Sequence, residues 1–77
     1  MVKDKIIELI QNTFNNSEVI TLDTTPNDVD EWDSLGHIML IQSIEEKFSV
    51  SFDFNEMLNL ESVKDIVEIV NNKVTNL

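Results

Sequence analysis

The sequence predicts an all-α fold, a four-helix bundle with three main helices, one short helix and a long first loop. Three observations carry that reading. Apolar residues recur at spacings of three and four in three separate segments. The single stretch that alternates like a strand has no second strand-like segment to pair with, and a lone strand leaves its backbone groups unsatisfied. The chain is 77 residues long with one glycine and one proline, so it is read as one domain, 1–77, without an internal linker.

The first helix is expected at about 3–15, from the stripe Val2, Ile6, Ile7, Leu9, Ile10 and Phe14. Asn15-Asn16-Ser17 reads as its stop, because these side chains compete for backbone hydrogen bonds. Residues 16–33 form a long polar connection in which Val19, Ile20, Leu22, Val29 and Trp32 are the expected anchors. Loops of this length in a small domain are commonly functional. A second helix is expected at about 34–47, capped by Asp33 or Ser34, with Leu35, Ile38, Ile41, Ile44 and Phe48 at helical spacing and Leu40 widening the face. The alternation Phe48, Val50, Phe52, Phe54 is read as an extended loop whose aromatics plug the core, followed by one short helix at about 55–59. Ser62 with Asp65 three residues on is a variant capping box. It opens a last helix at about 62–75 through Val63, Ile66, Val67, Val70 and Val74.

Composition narrows the function. Fifteen Asp and Glu against five Lys and no Arg leave a formal net charge of −10. A nucleic-acid backbone would be repelled by such a surface, so no nucleic-acid partner is expected. The longest apolar run, Ile38 to Ile41, is far too short to span a membrane, so no membrane partner is expected either. No apolar signal core follows Met1, and the expected location is cytoplasmic. With no cysteine, the chain supplies no disulfide, thiolate ligand or thiol nucleophile.

Three constellations bear on chemistry. The acid-rich loop 23–33 fails as an EF-hand: counted from Asp23, the glycine position is Asp28 and the closing glutamate position is Ser34. No metal site is assigned, although an acidic interaction or divalent-ion-binding helical module stays open as the alternative function. Ser34 and His37 are three apart at a helix start and can meet. Without a Gly-x-Ser-x-Gly elbow or an enclosed substrate pocket they make no self-sufficient hydrolase. His37 is expected to be a solvated surface residue, and no catalytic residue is assigned. Finally, Ser34 stands exposed where a helix N-terminus favours an attached phosphate. On Asp-Ser-Leu alone it could equally be an ordinary capping serine.

The longer stretch Glu31-Trp32-Asp33-Ser34-Leu35-Gly36-His37-Ile38, with Ile44-Glu45-Glu46-Lys47-Phe48 and Ser62-Val63-x-Asp65-Ile66, resembles the acyl carrier protein family over essentially the whole chain. The resemblance implies a non-enzymatic carrier with 4′-phosphopantetheine attached to Ser34 through a phosphodiester. The group is delivered from coenzyme A by a phosphopantetheinyl transferase using Mg²⁺, and it holds acyl or aminoacyl cargo as a thioester. It also implies loading, condensing and acyl-transfer enzymes with basic docking patches as partners. Asp33, Leu35, Ile38, Met39, Glu45 and Glu46 are the implied docking residues, and a monomer is the implied state.

Central fatty-acid carriers usually place acids two and five residues after the modified serine, where this chain has Gly36 and Met39. Carrier carboxylates steer docking onto basic enzyme surfaces, so these positions point away from housekeeping fatty-acid synthesis. Met39 is expected as an adaptable apolar contact, and Gly36 as room for the arm or a partner. Trp-Asp-Ser-Leu-x-His is similar to carriers of polyketide, nonribosomal peptide or cell-surface glycan pathways. Starting at Met1 and ending at Asn76-Leu77, the chain is expected to be a stand-alone accessory carrier.

Overall fold

The computed structural model describes residues 2–14 and 19–75, so the Asn15-Asn16-Ser17 stop lies outside the described residues. The described residues form an all-helical bundle: α1 (Val2–Phe14), α2 (Ser34–Phe48), α3 (Phe54–Leu58) and α4 (Val63–Thr75). Each helix lies within about one residue of its expected bounds. A single 3₁₀ turn at Pro26–Asp28, not foreseen from the sequence, breaks the long first connection. Asp28 reaches back to hold it, its Oδ2 accepting the Thr25 amide at 3.0 Å.

The core follows the i, i+4 rows. Ile6, Ile10 and Phe14 of α1 are buried against Gly36, Leu40, Ile41 and Ile44 of α2 and Val63, Ile66 and Val70 of α4. α1 packs on both α2 and α4. Each fully buried Ile or Leu contributes on the order of 2 kcal/mol by leaving water. The α2 stripe corrects the expectation: Leu35 and Ile38, in its first turn, are exposed, and the buried row there runs through Gly36.

The first connection is anchored by Ile20, Val29 and Trp32, all buried, and by half-buried Leu22. Val19 is 81% exposed and anchors nothing, which corrects the sequence reading. The loop also makes contacts no periodicity announces. The Thr24 and Leu22 carbonyls accept the Val63 and Lys64 amides at 2.9 and 3.0 Å, so the loop backbone satisfies donors at the start of α4. Ser62 Oγ accepts the Asp65 amide at 3.3 Å, as the box requires. The Asp65 carboxylate, however, takes the Glu61 amide rather than that of Ser62, so the return bond falls one residue early.

The turn after α2 is organised by one residue. The Glu45 carbonyl accepts the Ser49 and Val50 amides, and its Oε2 accepts the Phe52 amide at 2.8 Å. Ser49 is left-handed (φ 55°, ψ 46°), a conformation that favours glycine. Phe52 is half-buried under Lys73, whose Nζ lies 5.2 Å from the ring centroid. Phe54 does not plug the core: it opens α3 and is 67% exposed.

Candidate functional site

Ser34 is the first residue of α2, and its neighbours explain why it points outward. Asp33, in extended conformation, caps the helix through Oδ1, which accepts the Gly36 amide at 2.8 Å. A carboxylate at a helix N-terminus is also favoured by the helix dipole. One residue earlier, Trp32 is 2% exposed and stacked on Phe14 with ring centroids 5.8 Å apart. Two residues after Ser34, Gly36 is buried, with the Glu31 carbonyl and the Phe14 ring packed against its Cα. Any Cβ at Gly36 would collide with the Glu31 backbone oxygen. Ser34 therefore stands between two fixed points and is itself exposed. The glycine makes room for this chain's own loop, which corrects the expectation that it serves an arm or a partner.

His37 corrects the sequence reading more sharply. It is half-buried, stacked on Trp32 with ring centroids 6.2 Å apart, and bonded at both nitrogens. Trp32 Nε1–H donates to Nδ1 at 2.9 Å. Since Nδ1 accepts, Nε2 carries the proton and donates to the Met57 carbonyl, also at 2.9 Å. The imidazole thus ties the first loop to α2 and to α3. Both nitrogens are engaged away from Ser34, so the pair forms no nucleophile and base.

A groove of about 450 Å³ opens beside Ser34 between α2, α3 and the first loop. Ile38, Phe54, Met57, Leu58 and Leu60 make most of its walls, and Asp33, Ser34 and His37 supply its polar groups. On the other side of the α2 start, a smaller hollow of about 270 Å³ is bounded by Phe14, Gly36, Leu35 and Met39. Leu35 and Met39 are 67% and 50% exposed, which leaves both side chains open to apolar contact. Phe54 and Leu58, one turn apart on α3, extend this exposed apolar surface, and the sequence reading did not include them. Their i, i+4 spacing was the available signal.

The remaining implied docking residues divide. Glu46 is exposed. Glu45 is half-buried and its carboxylate is committed to the Phe52 amide, so it serves the fold. The loop acids do not converge: Asp28 closes the 3₁₀ turn, Asp33 caps α2, and among the described residues no three His, Cys, Asp or Glu side chains are placed to share a metal ion. Glu56, on α3, bonds the Asp53 amide through Oε1 at 2.9 Å and pairs with Lys73 at 3.0 Å. The Asp53 hydrogen bond first, and Lys73 second, hold its carboxyl below the usual glutamate range.

A phosphodiester on Ser34 fits this arrangement. Its attachment oxygen is at an exposed position at the positive end of a 15-residue helix, and the groove next to it offers an apolar bed for whatever the arm holds.

Comparisons with known proteins agree. Residues 4–70 match the family model described as the phosphopantetheine attachment site. An acyl carrier protein from Thermosynechococcus vestitus is 40% identical over 42 residues, which cover 54% of this chain and 52% of that protein. The match thus spans about half of the curated relative. The solution structure of a holo acyl carrier protein from Geobacter metallireducens superposes with a TM-score of 0.88 at 33% identity, covering 97% of this chain and 87% of that one. A solved structure from Mycobacterium tuberculosis shares the fold at a TM-score of 0.80 and 24% identity, with 99% and 97% coverage.

Proposed function

The chain belongs to the phosphopantetheine attachment-site family, whose fold it shares with acyl carrier proteins, and from that premise we propose that Ser34 Oγ is the atom that receives 4′-phosphopantetheine. One observation carries the assignment. Ser34 is the exposed first residue of α2, held between buried Trp32 and buried Gly36, with an apolar groove beside it. The function is then to carry acyl or aminoacyl groups between enzymes rather than to catalyse. The chain has no cysteine, so the thioester linkage rests on the terminal thiol that the prosthetic group supplies when bound. Ser34 provides the attachment oxygen, Asp33 rigidifies the helix start, and Ile38 with Phe54, Met57 and Leu58 shelters apolar cargo.

Incubating the protein with coenzyme A, Mg²⁺ and a broad-specificity phosphopantetheinyl transferase, followed by intact mass, tests this. One phosphopantetheine adduct, lost in Ser34→Ala, is expected. No adduct, or one that survives the substitution, overturns the assignment.

The partners that fit are the transferase and acyl-handling enzymes whose docking faces join basic and apolar residues. The net charge of −10 and exposed Glu46 support the first feature. Exposed Leu35, Met39, Phe54 and Leu58 support the second. A monomeric, cytoplasmic, accessory carrier of a specialised polyketide, peptide or cell-surface glycan pathway is the finer reading, and Met39 supports it. Gly36 supports it as well, since the Glu31 carbonyl leaves no room there for a docking carboxylate. Weak elongation by central fatty-acid enzymes, improved in Met39→Glu, is expected. Efficient elongation of the unaltered protein would remove this reading.

A further inference from the structure

Among the described α-helices α3 is the shortest and the least buried. It has five residues and none of them is buried. Half-buried Met57 packs against the core, and beyond that contact the helix is held by a few polar ties that fall on opposite sides. Toward α4, Glu56 bonds Lys73 Nζ at 3.0 Å. Toward α2, the tie recorded across the groove is His37 Nε2–H donating to the Met57 carbonyl at 2.9 Å. That bond reaches further than it first shows. The same imidazole is oriented from behind by Trp32 Nε1–H and by stacking on the indole, and Trp32 is buried against Phe14 of α1. The rigid core thereby extends through one ring to the wall of the groove, of which Phe54, Met57 and Leu58 all belong to α3.

We propose that His37 is a latch: it fixes α3 against the start of α2 and so sets the width of the apolar groove next to Ser34, which makes it the positioning residue that determines what the groove admits. The latch itself is independent of the attachment reading, and only the identity of the guest as carried cargo rests on it. The chemistry selects histidine at this position. The bridge needs one acceptor facing the indole N–H and one donor facing a carbonyl, on a flat ring that can stack, and a neutral imidazole supplies all three. Phenylalanine keeps the ring and loses both bonds. Glutamine keeps an acceptor and a donor.

The experiment uses the unmodified protein, so its outcome is separate from whether Ser34 is loaded. In His37→Phe, native-state amide exchange over 54–60 is expected to speed up roughly tenfold, the effect of losing a neutral hydrogen bond, while α1 and α4 keep their protection. His37→Gln is expected to recover most of the α3 protection, and Trp32→Phe to lose part of it. A neutral apolar probe, N-phenyl-1-naphthylamine, is expected to bind His37→Phe several-fold more tightly as the groove opens. Unchanged exchange in α3, or an equal loss in every helix, overturns the latch. Unchanged probe affinity overturns its link to the groove. Should His37→Phe fail to fold, the ¹⁵N resonances of the single histidine in the unaltered protein decide. Protonated Nε2 with bare Nδ1 supports the latch, and the opposite tautomer overturns it.

Discussion

The carbonyl of Glu31 packs against the Cα of Gly36 so closely that a Cβ there would collide with it. This contact lets the first loop cross the opening turn of α2, seat Trp32 in the core and leave Ser34 exposed two residues before the glycine. The one glycine in the chain therefore acts on the site through the loop.

Gly36→Ala should lower stability, even though alanine favours a helix by about 1 kcal/mol. The colliding atom is backbone and the Phe14 ring would lie 3.0 Å from the added Cβ, so little can yield cheaply. A net loss of roughly 1–2 kcal/mol is expected by urea unfolding, set by an overpacking cost of about 1–3 kcal/mol. A variant as stable as the parent would refute the steric account.

Asp33 combines a cap and a charge, and two substitutions separate them. Asp33→Ala should cost about 1–2 kcal/mol, while Asp33→Asn, an equally good cap, should lose only the charge–dipole contribution of about 0.3–1 kcal/mol. If the charge also serves docking of the transferase or its Mg²⁺, Asp33→Asn will be loaded more slowly at a temperature where it remains fully folded. Equal loading rates would leave Asp33 as a cap alone.

Ser49→Gly should stabilise the protein by about 0.5–1 kcal/mol, because a side chain in the left-handed region is strained where glycine is not. Thermal unfolding measures it. Glu45→Ala removes only the Oε2 acceptor of the Phe52 amide and keeps the carbonyl that takes the Ser49 and Val50 amides, so a loss of about 1–2 kcal/mol is expected.

Glu56 sets an acid limit on α3. Its carboxyl titrates below the usual glutamate range in the folded protein, chiefly through the Asp53 amide and then through Lys73. A lowered folded value means the stabilisation is fully present above the unfolded value and is lost as pH falls through the folded one. Amide protection factors over 54–58, taken relative to the intrinsic exchange rate at each pH, should therefore fall on acidification before those of α1 and α4. That acid dependence should flatten in Glu56→Gln. A carboxyl resonance titrating at the ordinary glutamate value would contradict this.

Much of this was legible in the sequence because it is local or periodic. The rows of Ile6, Ile10 and Phe14, or of Val63, Ile66 and Val70, follow from helical spacing alone. So does the end of the first loop at Asp33, where a capping side chain needs only its own next three residues. Even the reciprocal Asp53–Glu56 box on α3 is local, spelled out as Asp-x-x-Glu. Residues around Ser34 were also readable as a pattern, since the resemblance runs through consecutive positions.

Contacts between distant segments decided the rest. Periodicity cannot say that the Thr24 carbonyl meets the Val63 amide, that Val19 stays in water while Ile20 is buried, or that Gly36 lies beneath Glu31. His37 shows the difference best. Three residues from Ser34, it looked like a surface residue with catalytic possibilities. Only the packed bundle brought a carbonyl twenty residues away within 2.9 Å of its second nitrogen. The sequence alone determined the helices, the acidity and the exposed serine, because those follow from residue types and their spacing. The tertiary structure decided what the glycine, the histidine and Glu45 do, because their partners are chosen by how the helices pack.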